Sequence, residues 1–325
     1  MTRFLLRRLA WFALTLWTVV TLAFFVMRAT PGGPFSAERA LSPTVERLVA
    51  ARYHLDWPLW RQYLHYLGPL NLDQHGLLGD RQDPFGGVLA GDLGPSFSYR
   101  DLSVNDIIAQ SLPISIALGV LAMTLALAVG LPLGIVSAAR PRGVLDHLAR
   151  LVSTLGIVLP NFVIAGLSIL LFVFTVPLFP VAGWGSWRHL VLPAVALGAP
   201  FAASIARLAR AGMLEALDRP HIRTALAKGL PTHTIVLRHA LREGILPVVS
   251  YLGPATAGIL TGSLVIEKIF FLPGTGSHFV NSALNRDYTL AMGVTILYTT
   301  LVYFLNALVD LAYGLLDPRI DLDRR

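Results

Sequence analysis

Six stretches of the chain are unbroken apolar runs: residues 9–27, 112–139, 151–176, 190–206, 244–266 and 288–309. A bilayer core of roughly 30 Å takes about 20 helical residues. None of the six runs contains Lys, Arg, Asp or Glu. The pattern therefore predicts six membrane-crossing helices, the fourth of them short and holding Pro193 and Pro200. The first run follows MTRFLLRR, a basic start that a cleaved signal peptide would share. It is long for that role, and no small-x-small site follows Met27, so an uncleaved first span is expected.

Between the first two runs lies a long polar interval. Within it, SPTVERLVAARYHLDWPLWRQYLHYL reads as one helix or two, with Ser42 as N-cap, Pro43 at the first helical position and Glu46 in the first turn. Pro58 makes a break. The interval from 68 to 99 is crowded with Gly, Pro and Asp and reads as loop. A short amphipathic helix from Ser103 leads into the second run. Later, PLFPVAGWGSWRH carries Trp184 and Trp187, rings that favour the membrane–water boundary. EKIFFLPGTGSHFVNSALNRDY combines a Pro-Gly turn with a short helix.

Composition agrees with this pattern. The 325 residues are 54% hydrophobic and 14% charged, against nearer a quarter charged in soluble domains. The absence of cysteine excludes disulfides and thiolate chemistry.

A net charge of +7 invites a nucleic-acid reading, but its distribution reports topology instead. With both termini inside, the inside segments hold 16 of the 26 cations against eight of the 19 acids. The outside segments hold the other 10 cations against 11 acids. Such a cation bias sets orientation in membranes. No nucleic-acid partner is expected.

Enzyme chemistry finds no support. There is no His-Glu-x-x-His, and neither Lys228 nor Lys268, the only lysines, follows the glycines of a phosphate loop. Ser263 and Ser277 lie near glycines, as turn residues do. The chain is expected to have no catalytic site, no metal site and no cofactor of its own.

The longest inside segment, 207–243, contains HIRTALAKGLPTHTIVLRHALRE. Ile222, Ala225 or Leu226, and Gly229 fall at helical spacing, with His221, Arg223, Thr224 and Lys228 elsewhere on the surface. Ala225 and Gly229, four apart, would let another backbone approach closely. The plain alternative is an interfacial helix whose cations satisfy the inside rule. Among intramembrane polar groups, Asn161 and Asn306 are candidates for a translocation path or for interhelical hydrogen bonding, and Asp310 for a hydrated structural role. Pro273, Gly274 and Gly276, close after Glu267, most simply make a tight turn.

The inside stretch resembles the EAA loop of importer-type ABC permeases. That loop reads Glu-Ala-Ala, three residues, Gly, nine residues, then Ile-x-Leu-Pro. Here Ala225 and Gly229 keep the second Ala and the Gly, Arg223 and Thr224 stand at the Glu and first Ala, and Leu241 keeps the Leu. His239 and Arg242 replace the Ile and Pro, so no specific ion pair is carried over to Arg223. IRTALAKGLPTHTIVLRHALREGILPVVSYLGP is more similar to the form found in dipeptide and oligopeptide permeases of the dipeptide, oligopeptide and nickel importer family. FLLRRL, ATPGGPFSAERALSP, GDLGPSFSYRDLSVNDII, LPNF, HLVLPAVALG, GSLVIEKIFFLPGTG, ALNRDY and LLDPRI extend the likeness collinearly along nearly the whole chain. PFSAERAL and GPSFSYRDLSVND are most similar to B-type membrane subunits of oligopeptide importers.

The resemblance implies an all-α polytopic fold of the type I importer permease core, in a bacterial inner (cytoplasmic) membrane with both termini cytoplasmic. It implies a second homologous permease subunit, two ATP-binding subunits that carry the ATP and Mg, and an extracytoplasmic peptide-binding protein. His221, Arg223, Thr224, Ala225, Lys228 and Gly229 take the positions of the ATPase-coupling helix, and the family-typical loop of Glu267, Pro273, Gly274 and Gly276 becomes a candidate extracytoplasmic gate or receptor-contacting loop. Dipeptides, nickel or glutathione are the alternative cargoes. The expected organisation is a tip and first helix over 1–28, an extracytoplasmic segment over 29–111, a permease core over 112–313 containing the coupling segment 207–243, and a tail over 314–325.

Overall fold

The computed structural model describes residues 2–29, 51, 53–68, 85–99 and 101–316. The helix start expected at Ser42, much of the Gly- and Pro-rich interval and the end of the tail lie outside them. Among the described residues the regular structure is helical: α1 (Thr2–Ala29), α2 (Leu59–Leu67), α3 (Val104–Ala139), α4 (Val144–Val158), α5 (Asn161–Thr175), α6 (Arg188–Leu217), α7 (Pro220–Ala227), α8 (Thr232–Gly244), α9 (Leu246–Ile269), α10 (Thr275–Leu284) and α11 (Tyr288–Leu316). Wide π-helical turns occupy Leu170–Thr175 in α5 and Ile235–Ala240 in α8. Four helices are long and apolar enough to cross a membrane, and six spans result if each of two bent pairs counts as one.

The helices divide into two compact units. One comprises Met1–Pro113 and Ser277–Leu301. Here the described part of the long polar interval forms no body of its own. Tyr66 of α2 is buried with Val20 and Phe24 of α1 and Met292 of α11. The Phe24 and Tyr63 rings meet edge to face at 5.3 Å. A second cluster joins Val104, Ile107 and Ile108 to Leu290 and Val294. Asp287 is wholly buried and caps α11 by accepting from the Leu290 N–H at 3.1 Å. It also accepts from the Ser98 N–H at 3.1 Å, tying the 95–99 segment to that helix.

The short helix expected from Ser103 and the second span are one continuous helix, α3. Ser103 and Asp106 form a reciprocal cap. The Ser103 hydroxyl accepts from the Asp106 N–H (3.1 Å), and the Asp106 carboxylate accepts from the Ser103 N–H (3.2 Å).

The other unit comprises Ile114–Gly276 and Val302–Arg325. Its axis is α6, which is far more buried than the other apolar helices. α6 is also longer than the run that foretold it, continuing through Arg207, Arg210 and Glu215 to Leu217. Pro193 and Pro200 lie inside it without ending it, and the Ser204 hydroxyl donates to the carbonyl of Pro200 (2.9 Å). Neighbouring backbones come close enough that side chains are excluded. A Cβ on Gly130 would stand 2.6 Å from the Ala202 carbonyl oxygen, and one on Gly198 would stand 2.6 Å from that of Ala122.

The third span departs from expectation. Residues 151–176 do not form one straight helix: α4 and α5 meet at 107° across Leu159 and Pro160. Proline offers no N–H to continue α4 and drives its predecessor out of the helical region. Leu159 is extended accordingly, at φ −75° and ψ 124°. Both halves then lean on α6, α4 through Gly156 against Ala203 and α5 through Ala165 in a cluster with Leu192 and Ala194. The fifth span starts at Leu246 with Pro247 in its first turn, after a 52° bend from α8.

Candidate functional site

The segment 207–243 resolves into three pieces: the end of α6, the short helix α7 and most of α8. α6 stops at Leu217, Asp218 and Arg219 make the link, and Pro220 occupies the first turn of α7, where its missing N–H costs nothing. α7 buries only Ile222 and Ala225. They enter a cluster with Ala138 of α3, Met213 and Ala216 of α6, and Ile235, Val236 and Ala240 of α8. The helix ends at Lys228, and Gly229 turns the chain at φ +75°.

Of the residues expected to act together, His221, Arg223, Thr224, Lys228 and Gly229 share the exposed surface of this segment, joined by Leu226 and Leu230. Ala225 does not. Its small side chain is needed for close packing against its own chain. Gly229 has open space where a Cβ would stand, so its left-handed backbone is what calls for glycine. Arg223 donates to Asp218 at 2.9 Å, and His221 lies 3.9 Å from Glu243. Both pairs are exposed, and such pairs contribute only about 0–1 kcal/mol. The segment therefore presents a cationic rim around exposed leucines, seated by an apolar anchor.

The other candidates are placed separately. Asn161 is half-buried at the start of α5, beside the α4–α5 bend, while Asn306 is exposed on α11. Side-chain placement at Asp310 lies outside the described residues. Glu267 is fully buried, and its carboxylate accepts from the Gly276 N–H (2.8 Å) at the start of α10. A Cβ on Gly274 would overlap this carboxylate, and one on Gly276 would stand 2.7 Å from Leu264 Cα. The Ser115 hydroxyl accepts from the Thr275 N–H (2.9 Å) in the same knot. Glu267, Gly274 and Gly276 thus build the turn from within. Phe271 and Pro273 are the residues it shows to the exterior.

Sequence reasoning missed a carboxylate centre. Asp146, in the first turn of α4, is wholly buried and accepts from four groups: the Ser137 hydroxyl (2.6 Å), the Arg142 N–H (2.9 Å), and Arg210 Nε and Nη2 (2.7 and 3.1 Å). Charge-assisted, two-point bonds of this kind are strong and directional. One residue thereby ties together the ends of α3, α4 and α6, next to the cluster that seats α7. Its only trace in the sequence is a lone acid among Arg140, Arg142 and Arg150.

Comparison with known proteins gives these placements a context. The family described as binding-protein-dependent transport system inner membrane component matches residues 130–322, and its N-terminal companion matches residues 1–119. The chain belongs to this permease family. The permease is 43% identical to the oligopeptide transport system permease protein OppB of Haemophilus influenzae over 322 residues, 98% of this chain and 99% of the relative. It is 44% identical to OppB of Escherichia coli K12 over the same coverage. To the dipeptide transport system permease protein DppB of Bacillus subtilis it is 42% identical over 325 residues, the whole of both chains. The apolar helices and these relatives make the permease a multi-pass inner-membrane protein.

Proposed function

We propose that this chain is the membrane-spanning permease subunit of an ATP-driven importer that carries oligopeptides inward across the cytoplasmic membrane. The observation that carries the reading is the 43–44% identity to oligopeptide permeases over nearly the full length of both chains. The permease pairs with a second, homologous permease. Two partner subunits bind ATP and Mg, an extracytoplasmic receptor delivers the peptide, and the termini and α7 face the cytoplasm. Identity to a dipeptide permease over the whole chain favours dipeptides as the second reading.

The geometry supports a division of labour in α7. Ile222 and Ala225 anchor it to α3, α6 and α8, so a displacement of the helix is passed to α6 as one packed body. Arg223, Leu226 and Lys228 are left to meet an ATPase subunit. Coupling over such distances needs contiguous, rigid elements. Leu226→Glu and Arg223→Glu should leave the chain in the membrane with α7 seated, yet reduce peptide uptake at least about ten-fold and release the ATPase subunits on purification. A roughly 1.4 kcal/mol loss of docking suffices for that factor. Normal uptake in both variants would refute the docking assignment. Competition between labelled tripeptide and unlabelled dipeptide in the same uptake assay separates the two cargo readings.

A further inference from the structure

Between α3, α4 and α6 the structure opens a cavity of about 400 Å³. One end is walled by Arg150, Arg207 and Arg210, and the other by Leu133, Ile157 and Val158. No acid lines it. Arg210 is committed to Asp146 through two bonds, and Arg150 reaches that carboxylate only at 3.6 Å with half of its side chain exposed. Arg207 is exposed. Three cations against one carboxylate leave a surplus of positive charge at the mouth.

Position decides what such a cavity can hold. Arg150 directly precedes the apolar run 151–176, Arg207 directly follows the run 190–206, and Ser137 stands near the end of the run 112–139. The cationic end of the cavity therefore lies where three apolar segments finish, at the boundary between headgroups and hydrocarbon. About two turns along α4 from Arg150, Ile157 and Val158 line the cavity and are exposed, continuing an apolar surface away from the arginines. A free anion would use the charges and leave that surface unused. We infer that this cavity binds an anionic phospholipid, with its phosphodiester at Arg150 and Arg207 and an acyl chain along α4. Guanidinium groups suit phosphate through paired donors, and a cation near an anionic membrane surface contributes enough to change affinity roughly five-fold. The site does not depend on which cargo the permease carries.

The test uses the full chain purified in detergent, with retained lipid counted by native mass spectrometry. Dioleoylphosphatidylglycerol should be retained, and dioleoylphosphatidylcholine should not. Arg150→Gln with Arg207→Gln should weaken retention roughly five-fold for each arginine removed. Thr154→Trp, which keeps every charge and fills the cavity from its exposed wall, should displace the lipid as well and decides the matter should the glutamine variant fail to fold. Equal retention of the zwitterionic lipid, or wild-type retention in the tryptophan variant, would overturn the inference. So would displacement of phosphatidylglycerol by inorganic phosphate at matched concentration, which would mark a free-anion site.

Discussion

At the scale of single residues, Asp146 is the group whose loss should be felt most. Its carboxylate is shared by a hydroxyl on α3, a turn N–H and the guanidinium of Arg210. Removing one partner of such a pair strands the other in a poorly solvated site, while removing both is milder. Asp146→Asn and Arg210→Gln should each lower the melting temperature of the purified chain, and the double variant should fall by less than the two losses added. Simple additivity would mean that the two side chains act independently. This centre was barely legible beforehand, because Asp146 and Arg210 are 64 positions apart and a single sequence counts charges without pairing them. Gly274 and Gly276 were legible as a turn. That they make room for a buried Glu267 was not, since burial of a charged residue inside a turn leaves no local pattern.

At the scale of elements, apolar runs foretold where helices lie and misjudged their direction. Hydropathy sums residues without regard to heading, so an unbroken run from 151 to 176 hides the 107° bend at Pro160. For the same reason the run ending at 206 understated α6: its later turns carry Arg207 and Arg210, but Ala209, Met213 and Ala216 keep one face buried to the end. The short helix in 207–243 was foreseen, although Ala225 proved to be part of its anchor and Leu226 part of its exposed face. Pro160 also yields a prediction for its element. Pro160→Ala restores an N–H and removes the steric bar on Leu159, so a continuous helix competes with the bent one, opposed by the packing of both halves on α6. The chain has no cysteine, so spin labels on thiols introduced at 155 and 167 report this distance alone. The wild type should give one short distance. The alanine variant should add a longer component approaching the roughly 18 Å of 12 helical residues, and an unchanged distribution would show that packing alone sets the bend.

At the scale of the whole molecule, the placement of large and small residues inverts that of a water-soluble bundle. Val120, Leu167, Leu170 and Phe174 are exposed, whereas most of the buried residues of α6 are Ala or Gly. In lipid, apolar side chains lose nothing by facing outward, and helices associate through close packing of small residues. Sensitivity to substitution should follow the same inversion. Gly198 of α6 leaves no room beside the α3 backbone, where an added Cβ would meet the Ala122 carbonyl oxygen at 2.6 Å and its carbon at 3.3 Å. Backbone cannot rotate aside as a side chain can, so Gly198→Ala must push α6 and α3 apart, at a cost of about 1–3 kcal/mol for overpacking. Val120→Ala removes two carbons from an outward position of α3 and should stay within about 0.5 kcal/mol of the parent. Thermal melting of the two detergent-solubilised variants compares them directly. In a water-soluble bundle, losing a packed valine would cost more than adding one methyl group, so a Val120 variant weaker than the Gly198 variant would contradict the lipid-facing assignment of that surface.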